Sequence, residues 1–205
     1  MWNRWSRRAD WGAPPRTTCL DDVGLLAVDM ETTSLNPRTG KIVSIGWVPV
    51  DGNTIDLSGA GYIVVRGAQV ADDAHVHLLT QNVIDAGEKL ESAMEQLRQA
   101  VQGRALLAHF AALEVGFIEA ASRAVFGERP RLSVVDTFAL ERRHMERMGT
   151  YPRGEDLRLP RVRERYGLPR YGSHNALSDA LACAELYLAQ RGSTRAVTLG
   201  DVVQR

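Results

Sequence analysis

Leu25-Leu26-Ala27-Val28-Asp29-Met30-Glu31-Thr32-Thr33-Ser34-Leu35 is the stretch on which the reading of this chain turns. Leu25 to Val28 form a short apolar run of the kind that becomes a buried strand. Two carboxylates, Asp29 and Glu31, stand at its end. Side chains alternate along a strand, so both acids point to the same side. Like charges at the end of a buried strand are costly unless a cation compensates them. Hard divalent cations such as magnesium do this, bound by carboxylates, waters and substrate phosphates. Thr32, Thr33 and Ser34 add hydroxyls and backbone N–H groups beside that position. A plain strand running into a polar turn looks the same, so the reading depends on further ligands downstream.

The chain has 205 residues, enough for one substantial core, and one domain is the default. Its formal net charge is zero, so no global basic field points to nucleic acid, although a local patch is compatible with that balance. Lys41 and Lys89 are the only lysines among 25 basic residues. Cys19 and Cys183 fit neither a disulfide framework nor a zinc pattern, and Cys183 reads as a buried free thiol. No apolar run approaches the ~20 residues that span a membrane. The N-terminus lacks a secretory h-region and cleavage site. A reducing cytoplasm is the simplest location.

Residues 1–20 form an arm holding Trp2, Trp5 and Trp11 with Arg4, Arg7 and Arg8. Pro14 and Pro15 interrupt any regular element there. The arm either folds back to bury its indoles or docks a partner, and the rarity of exposed Trp favours the first. A domain over 21–191 and a loose tail over 192–205 complete the expected organisation. Within the domain, Lys41 to Val50 reads as a second strand and Asp51-Gly52-Asn53 as a hairpin turn. Thr54 to Val65 reads as a third strand, interrupted near Gly59-Ala60-Gly61. Residues 66–86, with His75 and His77, read as irregular. Glu88 to Val101 has helical spacing, and Ala105 to Ala108 is a short strand. A helix over Ala111 to Phe126 follows, then a strand over Leu132 to Val135 and a helix to Met148. Alternating strands and helices point to parallel pairing in this half. Residues 149–172 are rich in Arg, Pro and Gly. From Arg129 to Arg170 there are eleven arginines against six acids, either a phosphate-tracking patch or ion pairs on helix faces. The last helix runs from Asn175 to Gln190, capped by Asn175 or Ser173, with Asp179 inside an apolar stretch and His174 in the loop before it.

Acids thus appear in three separated segments: Asp29 with Glu31, then His109-Phe110-Ala111-Ala112-Leu113-Glu114, then His174-Asn175-Ala176-Leu177-Ser178-Asp179. In this order and spacing, from Leu25 to Leu188, the sequence resembles the DnaQ-like 3′–5′ exonucleases of the DEDDh branch. That family includes the proofreading epsilon subunit of bacterial DNA polymerase III, ribonuclease T and oligoribonuclease. The resemblance implies a ribonuclease H-like α/β fold. Its mixed five-stranded sheet has three antiparallel strands and then two parallel ones, flanked by helices. Asp29, Glu31 and Asp179 match the first, second and fourth family acids. The third lies in a His-Asn-Ala-x-x-Asp pattern, where this chain has Phe110 for Asn and Glu114 for Asp. His174 matches the branch-defining histidine. Thr32, Thr33 and Leu35 match the segment that holds the terminal nucleotide. His77 and His109 match two further histidines near the substrate, with His109 expected to shape the pocket.

The resemblance further implies two divalent ions, Mg2+ or Mn2+, held ~3.5–4 Å apart by Asp29, Glu31, Glu114 and Asp179. His174 would be the general base. Products would be nucleoside 5′-monophosphates released from 3′ ends. The favoured substrate is single-stranded DNA, with RNA as the alternative, since a 2′-hydroxyl preference is not written in the sequence. A binding or polymerase-docking module without catalysis is a further alternative, supported by Phe110 and Glu114. A DNA polymerase III or repair partner would fit the family. The absence of a clamp-binding motif or long polymerase-binding tail favours a stand-alone enzyme, and nothing demands an oligomer.

Overall fold

The computed structural model describes residues 8–68, 79–172 and 174–204. His75, His77, Trp2, Trp5, Arg4 and Arg7 lie outside these residues, so the expectations placed on His77 and on that part of the arm do too. The central strand is β2 (Gly24–Thr32). It follows a three-residue strand β1 (Arg8–Asp10) that belongs to a separate small sheet. β2 pairs antiparallel with β3 (Ile42–Asp51), placing Asp29 opposite Gly46 and Glu31 opposite Ser44. The register shifts between Glu31 and Thr32, a bulge that ends the ladder where the acids sit. The expected third strand is present in two pieces, β4 (Thr54–Ile55) and β5 (Gly61–Val64), both antiparallel to β3. A single 3-10 turn over Leu57–Gly59 separates them. Gly61 lies against the Trp47 indole, which a Cβ there would meet at 2.1 Å.

The second half runs through α1 (Gln81–Asp85), α2 (Leu90–Val101), β6 (Ala105–Ala108) and α3 (Ala112–Phe126). It continues with β7 (Arg129–Arg131), β8 (Val134–Asp136) and α4 (Thr137–Arg147). β6 pairs parallel with β2, and β8 parallel with β6. The main sheet therefore has the order β4-β3-β2-β6-β8, with β5 also on β3. This is the expected mixed α/β sheet of ribonuclease H-like form.

Strand parity explains how the sheet is covered. Leu26, Val28 and Met30 share one core with Met94 and Leu97 of α2 and Phe117 and Ile118 of α3. Leu25 and Ala27 point the other way, into a core with Ala180, Cys183, Ala184 and Tyr187 of α6 (Ala176–Gly192). Asp29 and Glu31 continue this second parity, so they point to the α6 side.

Three regions are defined further by the structure. Residues 149–172, read from the sequence only by their composition, hold ordered elements: a 3-10 turn over Gly154–Leu157 leads into α5 (Leu159–Arg165), whose Val162 is buried. Six of the eleven arginines between Arg129 and Arg170 are in ion pairs, which favours the structural reading of that region. The stretch after α6 is not loose. It forms α7 (Leu199–Val202), buries Leu199, Val202 and Val203, and bridges to Val135 and Cys19. Its short apolar run is too brief to show periodicity, so its burial is a tertiary effect. Part of the N-terminal arm does fold back: β1 pairs parallel with β7, and Trp11 enters the core.

Candidate active site

Each acid reaches the site from a different element. Asp29 and Glu31 come from the C-terminal end of β2. Asp179 comes from the first turn of α6, whose N-terminus is capped by Asn175 accepting the Ser178 N–H at 3.1 Å. Ligand atoms of Asp29, Glu31 and Asp179 all lie within 4.8 Å of one another. α6 can approach β2 this closely because β3 carries Gly46 beneath it. A Cβ at Gly46 would lie 2.2 Å from the Ala176 carbonyl carbon and 2.3 Å from the Leu177 nitrogen. Sequence reading passed over Gly46, whose only signal was a glycine inside a strand pattern.

Glu114 lies outside that triplet but borders it. It sits in the first turn of α3, only 3% exposed, and its Oε2 is buried without a hydrogen-bond partner. Its charge and those of Asp179 and Glu31 act on Asp29. Burial, and then these neighbours in the order Glu114, Asp179, Glu31, hold the Asp29 carboxyl well above the usual carboxylate range. Burial also raises Asp179, against the opposing pull of the His174 backbone N–H and ring. For Glu114 burial dominates, with Asp136 adding to it, and the carboxyl is pushed up to about 8.

Converging carboxylates with raised proton affinity and an orphaned buried oxygen are a donor set for a divalent cation. Asp29, Glu31, Asp179 and Glu114 are the residues that fit it. A carboxyl with a raised folded-state pKa contributes stability present below its unfolded value and lost as pH rises through the folded one. In EDTA, the melting temperature should therefore fall as pH rises from about 5 to about 8, and Glu114→Gln should flatten that slope. Cation affinity should rise over the same window as the protons leave. A slope unchanged in Glu114→Gln would mean that this carboxyl is ionised at neutrality after all.

His174 is exposed, adopts φ 72°, and donates its backbone N–H to Asp179 Oδ2 at 3.0 Å. The loop before it is anchored by Arg163, a buried residue that no motif singled out. Arg163 donates to the Ala182 and Pro169 carbonyls at 2.6 and 2.8 Å and to Glu185 Oε2 at 2.8 Å. Its guanidinium also lies 4.7 Å from the centroid of the Tyr171 ring, whose hydroxyl donates to Glu185 at 2.8 Å. Beside Asp179 opens a groove of about 390 Å³ lined by Leu159, Arg161, Arg163, Arg170 and Tyr171.

The other expected residues divide. Leu35 is 81% exposed in the turn that follows β2. Thr32 and Thr33 shape the turn beneath it: Thr32 Oγ1 donates to the Ser34 carbonyl, and Thr33 exchanges bonds with Lys41 through both its backbone N–H and its Oγ1. The Thr33 N–H is thereby committed within the protein. Both His109 ring nitrogens are likewise engaged, Nδ1 with Thr137 Oγ1 and Nε2 with the Leu157 carbonyl, each at 2.8 Å. Burial lowers the His109 pKa, so the neutral ring ties the 3-10 turn to α4. Asp136 is a further acid that sequence reading left without a role. It takes the Phe110 and Phe138 N–H groups at 2.9 Å and the Gln204 amide at 2.7 Å, which makes it a structural cap.

The RNase_T exonuclease family profile matches residues 26–187. The DNA polymerase III epsilon subunit of Treponema pallidum is 25% identical over 167 residues, 82% of this chain and 76% of that one. The PolC-type DNA polymerase III of Clostridium perfringens is 28% identical over 159 residues, 77% of this chain but 10% of that one. The chain thus spans a small part of the PolC-type relatives. Among solved structures, cell-death related nuclease 4 superposes with a TM-score of 0.71 at 18% identity, over 87% of this chain and 67% of that one. E. coli exonuclease I in complex with a dT13 oligonucleotide superposes at 0.68 and 15% identity, over 85% and 42%. A β-sheet end carrying clustered acids, matched over most of its length to exonucleases, defines a nuclease domain. The chain belongs to the RNase_T exonuclease family, in its DnaQ-like group. Among the described residues no helix is long and apolar enough to cross a membrane.

Proposed function

We propose that this chain is a metal-dependent 3′–5′ exonuclease that releases nucleoside 5′-monophosphates from single-stranded DNA ends. The observation that carries the reading is the convergence of Asp29, Glu31 and Asp179 within 4.8 Å, with Glu114 acting on Asp29 from the margin. Glu in place of Asp therefore leaves a fourth carboxylate at the site, which favours catalysis over a binding module that has lost it. The DNA preference draws on the relatives named for DNA polymerase III and on the oligonucleotide bound by exonuclease I.

Asp29, Glu31, Glu114 and Asp179 would hold two divalent ions, Mg2+ or Mn2+. When bound, these neutralise charge at the scissile phosphate and acidify the attacking water. The chain's own residues do the rest. His174 takes the water proton on a ring nitrogen as general base, and its backbone bond to Asp179 keeps base and acids in register. Leu35, exposed in the turn after β2, would meet the terminal base. Thr32 and Thr33 hold the turn that aims it, and His109 fixes the pocket wall from behind. None of these contacts reads a base edge, so sequence preference should be low.

Digestion of matched 5′-labelled single-stranded DNA and RNA oligomers tests this directly. A ladder of single-nucleotide steps from the 3′ end, faster on DNA and absent in EDTA, is expected. Products of random internal length, or a faster RNA ladder, would refute the direction or the substrate respectively. His174→Ala should slow the ladder by about a hundredfold to ten-thousandfold while the cation still raises the melting temperature. Loss of that thermal shift would make His174 a ligand instead of a base.

A further inference from the structure

Phe110 occupies a position that a phenylalanine seldom takes. It is 54% exposed, and its φ is 67°. That left-handed region is costly for a bulky residue and persists only where the surroundings enforce it. Here they do. The Phe110 N–H is held by Asp136 Oδ1, which also caps α4 through the Phe138 N–H, while Gln204 secures the second Asp136 oxygen. A lone exposed apolar residue is ordinary. An exposed aromatic fixed in a strained backbone, one helical turn before Glu114, is not.

The ring is also part of a row. Phe110 meets Phe138 edge-on, with centroids 5.2 Å apart and planes at 68°. The Arg142 guanidinium lies 5.3 Å from the Phe138 centroid, one turn further along α4. His109 backs Phe138 from another side at 5.8 Å. Arg142 is exposed and forms no ion pair among the described residues, unlike most arginines of this region. Aromatics beside a cation that has no ion pair among the described residues supply the two components of single-strand recognition: a stacking face for a base and a charge for its phosphate.

We propose that Phe110, backed by Phe138 and with Arg142 beside it, is a stacking platform for one unpaired nucleobase of the strand that enters the site. The proposal rests on the nuclease reading for its ligand class and adds the place where the strand is gripped. Because the backbone is already held by Asp136 and the ring rests edge-on against Phe138, less ordering entropy is lost on binding. Because every base has a π face, the grip tolerates any sequence.

The test is equilibrium binding of fluorescein-labelled single-stranded oligonucleotides to the full chain in EDTA, where turnover plays no part. Phe110→Asn keeps a residue tolerant of the left-handed backbone while removing the ring. It should weaken binding about 5- to 150-fold, the range of one base–aromatic stack, and Phe110→Trp should restore it. A single abasic nucleotide walked along the strand should reproduce that loss at one position in the wild type and add nothing in Phe110→Asn. Arg142→Gln should reduce the salt dependence by about one phosphate contact. Unchanged affinity in Phe110→Asn, no oligonucleotide binding at all, or an abasic penalty equally large in both proteins would overturn the platform. A strand that binds in this pattern yet is never shortened in magnesium or manganese would sink the exonuclease reading and leave the platform standing.

Discussion

Asp29→Asn should slow hydrolysis by about a thousandfold or more and, in EDTA near neutral pH, raise the melting temperature. The two effects have one cause. Asp29 is the acid on which burial and three other carboxylates act together. Asn keeps its size but cannot supply the anionic oxygen a divalent cation requires, and such a cation is worth several kcal/mol at the transition state, with about 1.4 kcal/mol per tenfold in rate. In the metal-free fold the same charge is a liability. The raised carboxyl withholds stability at every pH above its unfolded value, so replacing it should return that stability near neutrality. The gain should vanish below about pH 4, where the wild-type group is protonated in both states. Saturating magnesium should reverse the order of the two proteins. An Asp29→Asn variant that melts at or below the wild type throughout would show that the acids are compensated without a cation.

Gly46→Ala should be nearly as damaging to turnover, although Gly46 carries no chemistry. An added Cβ would fall inside the backbone of Ala176 and Leu177, and backbone cannot swing aside as a side chain can. Either β3 or the first turn of α6 has to move, and that turn carries Asp179 and the His174 contact. Overpacking of this kind costs about 1–3 kcal/mol and sometimes more. A shift of about 1 Å in a reacting group costs about a hundredfold in rate. Gly154→Ala is the matched control, because a Cβ there meets nothing within 4 Å. Thermal melts and ladder rates of the two variants decide the matter. Wild-type turnover in Gly46→Ala would mean that the distance between α6 and β2 is not critical.

How legible the site was depended on whether a residue's role is local. Strand parity placed Asp29 and Glu31 on one side from the sequence alone, and the sheet bears this out. The helix carrying Asp179 and its Asn175 cap were readable for the same reason: spacing and capping are written within a few residues. Gly46 was invisible because its clash partner belongs to a distant helix. Asp136 looked like a strand-end acid, and only the meeting of three separate segments makes it a cap. The arginine-rich region left two readings open. Its composition fitted a phosphate track or ion pairs equally well, because Arg163 and Arg165 find their carboxylates, Glu185 and Glu141, on other helices. α5 went unseen because its seven residues are too few to display a helical period.

The bond from Gln204 to Asp136 has a consequence for how the domain is made. Asp136 fixes the start of α4 and the backbone of Phe110, and it receives one donor from a residue far along the chain. Val203 likewise bridges to Val135 at the sheet edge. During synthesis the acids of β2 leave the ribosome early, but the last donor to Asp136 waits for Gln204. Contacts of such wide sequence separation form late and slowly. A nascent chain arrested before Gln204 emerges would therefore hold its early acids with one wall of the site still unfastened.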